Sequence, residues 1–230
     1  AEGPVHLVLD WPRRWDHMQQ HTAQHILTAV ALRDFGWRTT AFHLGPETSD
    51  IELDVASLSN DALRKLEDAT AEEILAARPV TVRHATKDAM AALGVRSRLL
   101  PEGHTGEVRL VEIDGLDLNT CGGTHLRSTA EIGVLALVGS EPMRGGTRVF
   151  FVAGDRVRRR LAEHERRNLK LRTLLDAADD DLPDLVELPQ ALIQKINNAS
   201  KFNQGFATVE YLAASFLDLY WHTLTDTKEK

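Results

Sequence analysis

His21 and His25 stand four residues apart in a segment whose apolar residues recur at helical spacing, and Cys121 and His125 repeat that interval a hundred residues later. On a helix, residues at i and i+4 project from one face, about 6 Å apart along the axis, which suits two ligands of one ion. Cys121-Gly122-Gly123-Thr124-His125 places two glycines where a loop must fold back to bring thiolate and imidazole to one point. Imidazoles with one thiolate form a borderline-soft donor set that favours tetrahedral zinc over magnesium or calcium. His17 precedes His21 by four residues, so spacing alone leaves both 17/21 and 21/25 open as the helical pair.

The elements that must carry these residues follow from periodicity. Residues 4–11 read as the end of a strand, and Asp16 is expected to N-cap a helix to about Phe35, with Met18, Ile26, Leu27, Val30 and Ala31 as its apolar stripe and Gly36 at its end. Alternation over 39–53, broken by Gly45-Pro46, predicts two paired strands. Residues 59–78 predict an amphipathic helix with Leu63, Leu66, Ile74 and Leu75 inward, stopped by Pro79. Strands are expected at 80–82, 107–113, 133–139 and 147–153, with a short helix at 86–93, and a helix over 155–176 follows. The expected fold class is α+β, an antiparallel sheet packed with helices. Two further helices, 189–199 and 205–224, are predicted beyond an acidic linker at 177–183.

Composition limits the classes open to the chain. Its 230 residues hold one cysteine, so no internal disulfide forms, and its longest apolar runs are far short of a membrane span, which points to a reducing, cytoplasmic setting. A net charge of −7 argues against wholesale attraction to nucleic acid, but Arg156, Arg158, Arg159 and Arg160 open a locally basic helix. The chain begins with Ala rather than Met, which reads as a processed or truncated start.

The segment 16–25, DHMQQHTAQH, together with CGGTH at 121–125, resembles the AlaX family of freestanding alanyl-tRNA editing proteins and the related editing domain of alanyl-tRNA synthetase. FHLG at 42–45, STAEIG at 128–133 and GGTRV at 145–149 extend the resemblance over roughly residues 5–175. It implies a metal set of His21, His25, Cys121 and His125, with His17 in a supporting role, and zinc-dependent hydrolysis of mischarged tRNA(Ala), chiefly carrying serine, or glycine. In that reading zinc orders the aminoacyl end. Gln24 and the hydroxyls of Thr22, Thr39 and Thr40 are then the candidates to contact the seryl hydroxyl or amino group, and Arg144, Arg148, Arg156, Arg158 and Arg159 the candidates to hold tRNA phosphates.

The implied organisation is a remnant of an N-terminal β-barrel domain at 1–15, an editing domain at 16–154, a basic helix and linker at 155–187, and a helical segment at 188–230. Residues 188–224 resemble part of an M3-family oligopeptidase but lack its H-E-x-x-H motif, since Thr22 stands where the glutamate would be, so no peptidase activity is expected. The chain is expected to be a monomer, or to self-associate weakly through these apolar helices. The competing functions are a non-catalytic tRNA-binding or structural zinc module and an inactive metallopeptidase fragment.

Overall fold

The computed structural model describes residues 6–96 and 106–176, with Ala178 and Asp180. The chain forms two compact units, residues 1–164 and 165–230, and the side chains discussed below belong to the first. The predicted helices at 189–199 and 205–224 lie outside the described residues.

The first helix, α1, spans Trp11–Phe35 and starts five residues before the expected Asp16 cap. Asp10 caps it by accepting the Arg13 N–H, and Pro12 sits in the first turn, where its missing N–H would have had no helical partner. Residues 6–10 have no regular structure, so the strand expected over 4–11 does not form among the described residues. Gly36, at φ 71°, closes the helix with its N–H on the Leu32 carbonyl.

Two antiparallel sheets receive this helix. Strands β1 (Thr39–Leu44), β2 (Ser49–Leu53), β6 (Leu135–Met143) and β7 (Gly146–Ala153) form one, ordered β1-β2-β7-β6. Strands β3 (Val80–Ala85), β4 (Val108–Ile113) and β5 (Asp117–Thr120) form the other, ordered β3-β4-β5. Helix α2 (Asn60–Leu75), capped by Ser59, packs beside α1, and the one-and-a-half-turn α3 (Lys87–Ala92) follows β3. Leu66 and Ile74 of α2 are buried as expected, but Leu75 is exposed at the frayed end. Helix α4 spans Asp155–Leu175. The α+β class holds, with the antiparallel strands divided between two sheets.

The main core fills the space between α1, α2 and the four-stranded sheet, with Ile26, Leu27 and Val30 against Ile51, Val149 and Phe151, all fully buried. Each such side chain contributes about 1.5–3 kcal/mol. A second, smaller cluster of Ala85, Met90, Val108 and Leu110 backs the three-stranded sheet.

Polar ties fix where α1 sits. Fully buried Gln20 spans both main-chain groups of Ala153, donating from Nε2 to its carbonyl at 2.9 Å and accepting its N–H at Oε1 at 2.9 Å. Asp16, inside the helix rather than capping it, receives Nε and Nη2 of Arg156 at 2.8 and 2.7 Å, and the third arm of that guanidinium reaches the Gly45 carbonyl. Gln20→Leu strands a buried donor and a buried acceptor, each costing about 1–3 kcal/mol. Urea unfolding of that variant is expected to show a loss of about 2–4 kcal/mol.

Candidate metal centre

Strand β5 and the loop after it face one turn of α1. Side chains alternate on a strand, so Asp117, Asn119 and Cys121 share a face directed at the helix. His21, His25, Cys121 and His125 converge there, with one ligand atom from each lying within 4.8 Å of all the others. Cys121 Sγ lies 3.5 Å from His21 Nε2 and 3.3 Å from His125 Nε2. His17 lies outside this cluster and lines a separate cavity with Asp16 and Arg159, so of the two helical pairs it is His21 and His25 that meet Cys121 and His125.

Three of the four are held from behind. His25 Nδ1 meets Asp117 Oδ2 at 3.2 Å, both side chains are 3% exposed, and Arg96 grips the same carboxylate through Nε and Nη2 at 2.9 and 2.7 Å. That contact puts the proton on Nδ1 and leaves the Nε2 lone pair for the cluster. His125 is fixed likewise, with Nδ1 3.2 Å from Thr22 Oγ1, which also accepts the Leu126 N–H. The Cys121 and Gly123 carbonyls are tied by Arg109 Nη1 at 2.5 and 2.9 Å.

The cluster's electrostatics favour a thiolate. Burial opposes ionisation of Cys121, but hydrogen bonds from His125, His21 and His25 and from the Gly123 N–H outweigh it and bring the thiol down to about 3. Burial, with the charges of His25 and His21, lowers the His125 imidazole to about 4 against the pull of Cys121. For His25 the burial penalty is overcome by Asp117 and Cys121, and its pKa is raised. Asp117 is pushed up by burial but held below the usual carboxylate range by His25 and Arg96.

The two loop glycines have different reasons to be there. A Cβ on Gly123 would lie 2.2 Å from His21 Cε1, whereas one on Gly122 would meet nothing within 4 Å. Neither has a positive φ, so close approach of the His21 ring, rather than a special backbone turn, demands glycine at 123.

A cavity of about 790 Å³ opens from the cluster, walled by Gln24, Thr28, Thr39, Thr40 and Phe42 and floored by Cys121, Gly122 and Gly123. Gln24, 2% exposed, donates from Nε2 to Thr28 Oγ1 at 2.9 Å, and Thr39 Oγ1 meets the same hydroxyl at 3.2 Å. Gln24 Oε1 is buried and has no hydrogen-bond partner among the described residues. Thr40 lines the cavity with its hydroxyl on the Glu52 carbonyl. Thr22, expected at the substrate, is instead fully buried behind His125 and does not line the cavity.

The arginines expected to hold phosphate separate into three groups. Arg156 is 4% exposed and committed to Asp16, so it cannot reach a ligand. Arg148 is occupied by Glu52 and Glu141, and its guanidinium also neutralises the carboxylates of the His43, Asp50 and Glu52 group. Arg158 and Arg159 are exposed but share Asp155, and Arg144 is exposed beside the β6–β7 turn. Asp117, Arg96, Arg109 and Thr28 were not anticipated. The alternation of Asp117, Asn119 and Cys121 was a readable signal, but Asp114-Gly115 drew that stretch into a turn.

Fold and cluster together define an α+β domain of the synthetase-editing type with a candidate metal cluster, for residues 108–150, from β4 through the CGGTH loop into β7, match the threonyl and alanyl tRNA synthetase second additional domain. The alanyl-tRNA editing protein Aarsd1 of Danio rerio is 38% identical over 197 residues, covering 85% of this chain and 48% of that protein. Alanyl-tRNA editing protein AlaX-M of Methanosarcina acetivorans is 32% identical over 135 residues, 57% of this chain and 55% of its own length. Alanine–tRNA ligase of Thermotoga maritima is 28% identical over 218 residues, 93% of this chain and 25% of the ligase. On these matches the chain belongs with the AlaX-type alanyl-tRNA editing proteins. It spans about half the length of the editing proteins it matches.

The peptidase resemblance of residues 188–224 finds no support in these relatives. Among the described residues, no helix is long and apolar enough to cross a membrane.

Gly123→Ala is expected to displace His21 and abolish stoichiometric zinc binding, while Gly122→Ala retains it, as read by metal analysis of the purified proteins. Asp117→Asn is expected to weaken zinc affinity about 10–100-fold in a chelator competition, because it loosens the partner that orients His25.

Proposed function

We propose that this chain is a zinc-dependent aminoacyl-tRNA deacylase that hydrolyses mischarged tRNA(Ala), chiefly seryl-tRNA(Ala). The observation that carries the reading is one cavity lined by His21, His25 and Cys121 of the four-residue cluster, with the Gln24–Thr28–Thr39 chain on its wall.

The donor set suits zinc. Ligands at about 2.3 Å for sulfur and about 2.0–2.1 Å for nitrogen on a tetrahedral ion lie roughly 3.6 Å apart, and the 3.3 and 3.5 Å sulfur–nitrogen separations are of that size. His21, His25, Cys121 and His125 would hold the ion, and bound there it supplies a Lewis acid for the carbonyl end of the ester.

The chain's own residues supply the selection. Gln24 commits its N–H to Thr28 and presents a buried carbonyl oxygen that can only accept, so it favours a donor such as the ammonium or hydroxyl of a seryl group. Thr39 and Thr40 place further hydroxyls on the same wall. An alanyl group brings no hydroxyl and leaves part of this wall unpaired, which disfavours it. Phe42 and Leu32 add apolar surface to the cavity lining. Arg144, Arg158 and Arg159 remain accessible to a tRNA backbone.

The test is release of amino acid from seryl-tRNA(Ala) and alanyl-tRNA(Ala) by the purified chain. Selective release of serine, abolished in Cys121→Ala, is expected. Gln24→Leu should cut the serine-over-alanine preference about tenfold or more, the worth of one buried hydrogen bond. A folded, zinc-loaded chain that binds tRNA but releases neither amino acid would identify a non-catalytic module.

A further inference from the structure

The Cys121–His125 loop walls two cavities. Cys121, Gly122 and Gly123 floor the large one, while Thr124 and His125 face a second, of about 380 Å³, on the other side. Arg14 of α1, Arg109 of β4 and Arg127 of the following loop converge on this second space, with Trp11, Val80 and Val82 as its apolar walls. Its volume falls in the ~300–1,000 Å³ range of ligand sites.

The three arginines differ from the many that are paired with a carboxylate. Arg33, Arg78, Arg83, Arg96, Arg148, Arg156 and Arg158 each hold a carboxylate. Arg14, Arg109 and Arg127 have no carboxylate on their guanidinium groups among the described residues; the Glu131 carboxylate bonds the Arg127 backbone N–H instead. In a chain of net charge −7, three cations from three elements left without counter-charges in one concavity constitute a site for anions. Trp11, 54% exposed and 5.9 Å from the Trp15 ring, offers a flat face at its edge. Cations that grip phosphates beside an exposed aromatic ring on which bases stack are how proteins hold single-stranded nucleic acid.

We infer that this groove binds the phosphate backbone of a single-stranded RNA 3′ segment, with Arg14 and Arg127 as phosphate contacts and Trp11 as the stacking surface. The inference deepens the tRNA reading above and rests on it for the identity of the strand. Arg109 has a second task, because its Nη1 also bonds the Cys121 and Gly123 carbonyls and so joins the groove to the metal loop.

The test is fluorescence anisotropy of the full chain with an uncharged five-nucleotide single-stranded RNA ending in CCA, titrated over salt. Arg14→Ala and Arg127→Ala are each expected to weaken binding and to reduce the slope of log affinity against log salt by about 0.7, one single-strand phosphate contact. Trp11→Ala should weaken binding with the slope unchanged. Arg64→Ala, on α2 and paired with Asp61, should alter neither. Unchanged affinity and slope in the Arg14 and Arg127 variants, or an equal loss in Arg64→Ala, overturns the proposal. Because the RNA carries no amino acid, failure of deacylation, which would defeat the editing reading, leaves this result intact.

Discussion

One close approach governs the site. The His21 ring lies where the Cβ of any side chain at position 123 would stand, so the imidazole from α1 packs directly on the CGGTH loop. Two ligands come from one turn of helix and two from a short loop, and neither pair can form the cluster alone. The rest of the first unit serves to bring these two backbones together. The four-stranded sheet supports α1, the three-stranded sheet delivers the loop at the end of β5, and Arg109 fixes the loop's carbonyls.

Holding α1 in that position requires burying polar groups. Gln19, Gln20, Thr22, Gln24, His25 and Thr28 are all buried on a helix whose apolar stripe is only Ile26, Leu27, Val30 and Ala31 with their neighbours. Buried polar groups cost free energy unless paired, and these are largely paired across the fold. Gln20 bonds the end of β7, Gln19 the carbonyls of the Thr129–Ile132 turn, Thr22 the loop, and His25 the Asp117 carboxylate. Two acceptors among them, Gln19 Oε1 and Gln24 Oε1, have no partner among the described residues, and Gln24 is the one that lines the cavity beside the cluster.

Much of this was legible in the sequence, for identifiable reasons. The strands over 39–53 and 147–153 and the helix after Ser59 carry strong periodicity and clear punctuation. The His21, His25, Cys121 and His125 set was legible through its spacing and its resemblance to a family. The start of α1 was misplaced because Trp11-Pro12 looks like a strand end, although proline is compatible with a helix's first turn. Strand β5 was missed because it is four residues long and contains Asp and Asn, which are rare in strands; it is held by pairing with β4. Arg156 was misjudged because a basic run says nothing of which member folds inward, and Asp16, 140 residues away, claims it.

The same geometry that draws Cys121 toward ionisation also exposes it to oxidation. A thiolate, rather than a thiol, is what oxidants attack, and this one is only partly buried at the floor of an open cavity. A sulfenic acid formed there has no second thiol within these 230 residues to condense with, so its rescue depends on a thiol from elsewhere. Metal coordination of Cys121 would therefore also protect it, so that holding an ion and guarding the chain's one thiol would fall to the same atom.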